Sequence, residues 1–214
     1  MAEREKRKRA KFTKYQEDPT GFVSNVLLGH LWSKQREICE SVLENRFTAV
    51  KSCHGVGKSA VAGRIGAWWL SCFEPGEAFL VTSAPTFNQV KGILWREINK
   101  VHRIGGLPGR CNQTEWIMDP NELVGFGRSV RDGDPTAIQG IHAKRGLVIF
   151  DEACGMSSVV WDGAETLVSN DLSRFLAIGN PDDPATEFAR SCKPGTAYNV
   201  ITISAFDSPN FTGE

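Results

Sequence analysis

The run Leu147-Val-Ile-Phe150, followed at once by Asp151 and Glu152, constrains the fold more than any other stretch. Four consecutive large apolar side chains cannot alternate between a wet and a dry face, so a strand made of them must be covered on both sides. That is the situation of an inner strand in a parallel sheet sandwiched between helices, and such sheets hold ligands at the carboxyl ends of their strands. Two adjacent carboxylates at that end are either a solvated acidic turn or a working pair. In the second case Asp151 holds a Mg²⁺ ion and Glu152 polarises an attacking water.

An earlier stretch supplies the partner. Residues 47–59 read Phe-Thr-Ala-Val-Lys-Ser-Cys-His-Gly-Val-Gly-Lys-Ser. The β-prone FTAV leads into a turn of small residues and then into a helical pattern, the order of a phosphate-binding loop. Gly55 and Gly57 allow the backbone to curl so that successive N–H groups and the helix N-terminus can hold phosphate oxygens. Ser52, Cys53, His54, Gly55, Val56, Gly57, Lys58 and Ser59 are thus the candidate nucleotide-binding residues. Lys58 is expected to reach the β- and γ-phosphates and the Ser59 hydroxyl to take one position on Mg²⁺. The pattern departs from G-x-x-x-x-G-K-[ST] at its first position, where Ser52 stands in place of glycine. An ordinary glycine-rich turn before a helix is the alternative for this string alone.

The 214 residues are 41% apolar, enough for one substantial core. Lys and Arg balance Asp and Glu at 25 each, but residues 1–14 hold seven of the basic side chains, leaving 18 basic against 23 acidic beyond them. A basic arm ahead of an acidic body is either a contact for a nucleic-acid backbone or acidic protein, or a solvated tail. No apolar stretch approaches membrane-spanning length, so no membrane partner is expected. The six cysteines form no CxxC pair and read as reduced thiols.

Around these motifs the chain alternates strand and helix. Residues 15–30 read as an irregular lead-in. Leu31, Gln35, Ile38 and Val42 share one helical face, and the Gln35 amide can either pair with an adenine edge or simply face solvent. After the phosphate loop a helix over 60–72 is expected to bury Val61, Ile65, Trp68 and Cys72, with Gly63 and Gly66 close to the sheet. Ala78–Thr82 is a second strand, followed by a helix with Phe87, Val90, Leu94 and Val101 on one stripe. Lys91, Arg96, Lys100 and Arg103 line its polar side. Residues 104–112 read as loop. Two β-prone runs, 114–118 and 122–126, joined by Asp119-Pro-Asn121, predict a hairpin interrupting the α/β pattern. A helix over 157–169, a strand over 174–179, an edge strand over 198–203 and an element-free tail complete the chain. Asn180, at a strand end, can sense a γ-phosphate through its amide or form an Asn-Pro turn.

With these pieces placed, the chain resembles the ATPase domain of tailed-bacteriophage terminase large subunits, the motors that drive DNA into capsids. The resemblance spans about residues 27–214. It rests on Leu31-Trp-Ser-Lys-Gln35, SCHGVGKS, TSAPTFNQV, Ile138-Gln-Gly-Ile-His142 ahead of LVIFDEA, and AIGNP. It implies an α/β fold of the RecA-like (ASCE-type) P-loop NTPase kind, doubly wound with a mainly parallel sheet and an inserted hairpin. Residues 1–20 are then a basic, disordered arm and 21–214 a P-loop ATPase domain. The resemblance further implies ATP and Mg²⁺ as cofactors, Gln35 in the adenine-contacting motif, Lys58 and Ser59 on phosphate and metal, Asp151 on metal, Glu152 as catalytic base, and Gly179–Pro181 as the coupling segment.

The implied partners are double-stranded DNA, a portal protein, a small terminase subunit and further copies of this chain in a ring, with a monomer when alone. The implied setting is the cytoplasm of an infected bacterial host, transiently at the procapsid portal. Two departures stand out. His54 occupies a loop position where such motors often carry arginine, so Lys51, Arg96, Arg103, Arg128 and Arg131 all remain candidates for a finger acting on a neighbouring subunit. The carboxylate cluster of the family's nuclease domain is missing, so no DNA cleavage is expected. The rivals are a helicase, which lacks its Ser-Ala-Thr string here; a GTP switch, whose N-K-x-D has only the truncated echo Asn99-Lys-Val-His102; and a non-enzymatic assembly module.

Overall fold

The computed structural model describes residues 10–74, 76–129 and 143–214. Its strands are β1 (Phe47–Ser52), β2 (Ala78–Ser83), β3 (Arg110–Asn112), β4 (Glu115–Met118), β5 (Glu122–Gly127), β6 (Arg145–Phe150), β7 (Arg174–Gly179) and β8 (Asn199–Ile203). They form one sheet in the order β3-β4-β5-β2-β6-β7-β1-β8. From β5 to β8 every neighbouring pair is parallel. Only the β3-β4-β5 end is antiparallel.

The apolar strands divide their side chains between two cores, as an inner strand must. Leu147 and Ile149 of β6, and Leu176 and Ile178 of β7, enter one core. Val148 and Phe150, with Phe175 and Ala177, enter the other. The first core is roofed by α1 (Pro19–Asn25), α2 (Ser33–Glu44), α3 (Lys58–Cys72), a π-helical turn at Val90–Leu94 and α5 (Trp95–Gly105), while the short α4 (Phe87–Gln89) just ahead of that turn buries no residue. The second is covered by α6 (Ser158–Leu167) and α7 (Glu187–Ser191), where Phe150, Trp161 and Phe175 pack edge to face at 4.9–5.6 Å between ring centroids. Each such aromatic pair adds about 0.5–1.5 kcal/mol beyond its area burial. Among the described residues no helix is long and apolar enough to cross a membrane.

Several expectations are corrected. The arm does not extend to residue 20: Phe12 and Tyr15 are buried against Phe22, and Trp68 donates its indole N–H to the Tyr15 carbonyl at 2.7 Å. The lead-in contains α1, whose Asp18 accepts from the Gly21 amide at 2.7 Å ahead of Pro19 in the first turn. Phe87 leaves the expected stripe and is 47% exposed: it opens α4, none of whose residues is buried, ahead of the π-helical turn that starts at the buried Val90. Gly63 faces α5 rather than the sheet, a Cβ there lying 3.0 Å from the Glu97 side chain, whereas a Cβ at Gly66 would meet Leu80.

The expected hairpin is present as β4 and β5, interrupting the strand–helix alternation, and it extends the sheet because β5 pairs in parallel with β2. The stretch read as loop contains β3, and the tail carries α8 (Pro209–Thr212). Ile138 to His142 and Arg131 lie outside the described residues.

Candidate functional site

β7 lies between β1 and β6, and the parallel register aligns Lys51 with Gly179 and Ala177 with Phe150. The carboxyl ends of three strands therefore deliver three segments to one sheet edge: the loop after Ser52, the Asn180-Pro181 turn, and the Asp151-Glu152 pair. A strand inserted between the loop strand and the carboxylate strand puts Asn180 in the middle of the group.

The loop is built as its glycines require. Gly55 and Gly57 have φ of 76° and 78°, and Gly57 immediately precedes the first turn of α3. That helix aims its unpaired first-turn N–H groups into the same space. Ser52, which replaces the expected glycine, is the last residue of β1 and pairs with Ile203. Extended strand backbone needs no glycine, so the departure costs the loop nothing. Ser52 is buried with its hydroxyl on the Cys53 carbonyl, and Val56 is buried while His54 is exposed. Gln35 is buried too, and donates to the Gly57 carbonyl at 3.3 Å. A Cβ at position 57 would stand 2.8 Å from that amide nitrogen.

Lys58 is buried, and its ammonium donates to the Cys53 carbonyl at 2.9 Å and to Asn180 Oδ1 at 2.5 Å. Asn180, 3% exposed, turns its Nδ2 to the His54 ring, 2.7 Å from Nδ1. Asp151 is 1% exposed; burial pushes its carboxyl above the usual range, opposed by a hydrogen bond from the Ser59 hydroxyl. Glu152, half-buried, has φ 51° and ψ 48°, a left-handed conformation unusual for a residue with a side chain, and its amide is tied to Asp151 Oδ1 at 3.1 Å. A cleft of about 460 Å³ opens beside the loop, lined by Lys51, His54, Asn180 and Asp182 among others.

Lys58, Ser59, Asp151, Glu152 and Asn180 thus share one edge with the whole loop, and Gln35 stands beneath it. The hydroxyl of Ser59 and the carboxylate of Asp151 are hard oxygen donors in mutual contact, which suits Mg²⁺ sharing its remaining positions with phosphate and water. Among the described residues no group of three or more His, Cys, Asp and Glu could hold a metal by itself. Of the basic candidates, Lys51 lines the cleft, while Arg96, Arg103 and Arg128 are exposed. The Arg128 guanidinium lies 4.6 Å from the Phe126 ring centroid. Sequence reasoning missed that Gln35 supports the loop and that His54, Asn180 and Lys58 form one chain of contacts. Only their shared position at strand ends hinted at the second.

No protein-family model matches the chain. It is 27% identical over 209 residues to the probable terminase large subunit of Enterobacteria phage P7, a match covering 87% of this chain and 41% of that protein. Among solved structures it is similar to the large terminase ATPase domain of Thermus phage P74-26, with a TM-score of 0.66 at 18% identity over 88% of this chain and 87% of that one. The large terminase of a thermophilic bacteriophage, solved in complex with ATP-gamma-S, gives 0.59 at 15% identity, over 83% and 46% of the two chains. The N-terminal domain of the DNA packaging ATPase of bacteriophage phi29 gives 0.56 at 11%, over 80% and 95%. The chain therefore has the RecA-like fold of terminase ATPase domains, and the resemblance read from its motifs holds.

Proposed function

We propose that this chain is the ATP-hydrolysing motor domain of a machine that moves double-stranded viral DNA into a procapsid. The observation that supports it best is the meeting of Lys58, Ser59 and Asp151 at one sheet edge, with Asn180 between the phosphate loop and the carboxylate pair. The likeness to a curated large terminase and to solved packaging ATPases points the same way. The chain spans 41% of that curated relative, so what the whole machine does comes to this chain as a proposal.

In this reading the loop amides and Lys58 neutralise the phosphate oxygens, which is most of what phosphoryl transfer asks of a protein. Ser59 and Asp151 would hold a Mg²⁺ ion, which would offset part of the charge of the triphosphate. Glu152 orients the attacking water and takes its proton. The turn at Gly179–Pro181 carries the state of the phosphate site outward. Of the finger candidates, the exposed Arg96, Arg103 and Arg128 would be available to a neighbouring copy in a ring. Double-stranded DNA, a portal protein and a small terminase subunit are the partners of that ring, in the cytoplasm of an infected host.

Turnover of ATP and GTP by the purified chain, with and without Mg²⁺, tests the reading. Expected is slow, Mg²⁺-dependent ATP hydrolysis that rises with protein concentration and disappears in Lys58→Ala. Equal activity in that variant overturns the assignment, and unwinding of duplex DNA in a strand-displacement assay would favour a helicase.

A further inference from the structure

We infer that the exposed ring pair Phe206 and Phe211 is where the base of the bound nucleotide stacks. The inference rests on the ATPase reading of the site and adds to it the part of the chain that holds the end of the substrate farthest from the reacting phosphate.

Sheet order fixes where that end lies. The strands run β6-β7-β1-β8, with the carboxylate pair at the end of β6 and the phosphate loop at the end of β1. A triphosphate whose terminal phosphate faces Asp151 and Glu152 must leave the loop on its far side, over the end of β8. Strands β6 and β8 stand three spacings apart, about 14 Å, which an extended nucleoside triphosphate can span. The segment that leaves β8 starts beside the loop, because Cys53 donates its amide to the Ile203 carbonyl at 3.0 Å.

That segment, residues 204–214, is fixed at both ends by its own carboxylates. Asp207 accepts from the amide and the hydroxyl of Ser204 at 2.7 and 2.8 Å, closing a 3₁₀ turn at Ala205–Asp207. Beyond α8, Glu214 accepts from the amide and the hydroxyl of Ser33 at 2.8 and 2.7 Å. Ser33 opens α2, and two residues on Gln35 reaches the Gly57 carbonyl. The segment thus arches from the start of the phosphate loop to the helix that supports the end of it.

Between the two anchors stand Phe206 and Phe211, 76% and 68% exposed, their ring centroids 5.6 Å apart and their planes at 64°. Of the described large apolar side chains only Leu28 is more exposed. Ring surface of this extent gains by being covered, and a nucleobase is a flat, neutral ring of matching shape. An anion suits the place badly. Hydrogen bonds from the Ser204 amide and the Ser33 hydroxyl hold the carboxyls of Asp207 and Glu214 below the usual range, so both stay ionised beside the rings and repel a nucleic-acid backbone. Every base has a π-face, so GTP should stack here as ATP does.

The test separates the base from the phosphates. Binding of ATP and of tripolyphosphate, which has no base, is measured by calorimetry with Mg²⁺ present. Phe206→Leu combined with Phe211→Leu should weaken ATP binding about five- to 100-fold, the worth of one base on one aromatic face, and leave tripolyphosphate binding unchanged. Tyrosine at both positions, which keeps the rings, should stay within about threefold of the wild type. Independently of turnover, the added emission of Phe206→Trp, taken over the six native tryptophans, should be quenched by ATP and GTP and not by tripolyphosphate. Unchanged ATP binding in the leucine pair, an equal loss for tripolyphosphate, or emission indifferent to ATP would overturn the inference. A leucine pair that altered only self-association would assign the rings to a neighbouring copy and overturn it too. A wild-type chain that binds neither ATP nor tripolyphosphate removes the ATPase reading itself, whereas one that binds both, with all variants alike, removes this inference alone.

Discussion

Gln35 donates its side-chain amide to the carbonyl of Gly57, the residue from which helix α3 sets out. A side chain for which the resemblance implied contact with adenine also props the phosphate loop. Replacing it with leucine, similar in size and without a donor, should weaken ATP affinity about three- to tenfold, the worth of one hydrogen bond. GTP affinity should fall with it, because both nucleotides share the loop. Equilibrium binding of fluorescent ATP and GTP analogues measures this, and a loss confined to ATP would put the amide on the base.

Asp151 is kept at a cost. Its folded carboxyl titrates above the ordinary range because of burial. A carboxyl raised in the fold adds stability below its unfolded pKa, and that contribution disappears as pH rises through the folded value. Above that folded value the ionised group therefore weighs against the folded chain. Asp151→Asn should raise the melting temperature of the nucleotide-free protein by about 2–4 °C, the shift that roughly 1 kcal/mol produces at this length. The gain should shrink on acidification, and Mg²⁺-dependent turnover should be lost. A variant melting below the wild type at neutral pH would contradict this.

Glu152→Gln should leave nucleotide bound but intact. A general base contributes about 10²- to 10⁴-fold, so single-turnover hydrolysis should slow by that range while the dissociation constant changes little. Unchanged hydrolysis would move the role of base to another group.

Gly127, at the end of β5, has no room for a methyl group. A Cβ there would lie 2.1 Å from Trp95 Nε1, and that indole donates to the buried Thr82 hydroxyl at 2.7 Å. Gly127→Ala should cost about 1–3 kcal/mol by overpacking, read as a lower urea midpoint at unchanged slope.

Where covalent order and spatial order coincide, the sequence was sufficient. LVIF announces a strand buried on both faces, and GKS announces the start of a helix on a glycine turn; both stand where they were expected. Register was harder, because hydrogen-bonded strand order is a long-range property. Nothing local in AIGNP says that its strand enters between β1 and β6, yet that insertion brings Asn180 to Lys58. The π-helical turn at Val90–Leu94 is likewise invisible in a 3.6-residue pattern. At the amino end, attention to charge hid Phe12 and Tyr15, whose rings bring that segment into the core.

The left-handed torsion at Glu152 puts durability and chemistry in opposition at a single codon. Glycine would adopt φ 51° freely, relieving about 1–2 kcal/mol that the present residue bears. A library of variants sorted only for heat tolerance should therefore accumulate glycine at this position and yield sturdy proteins without the carboxylate that the proposed hydrolysis needs.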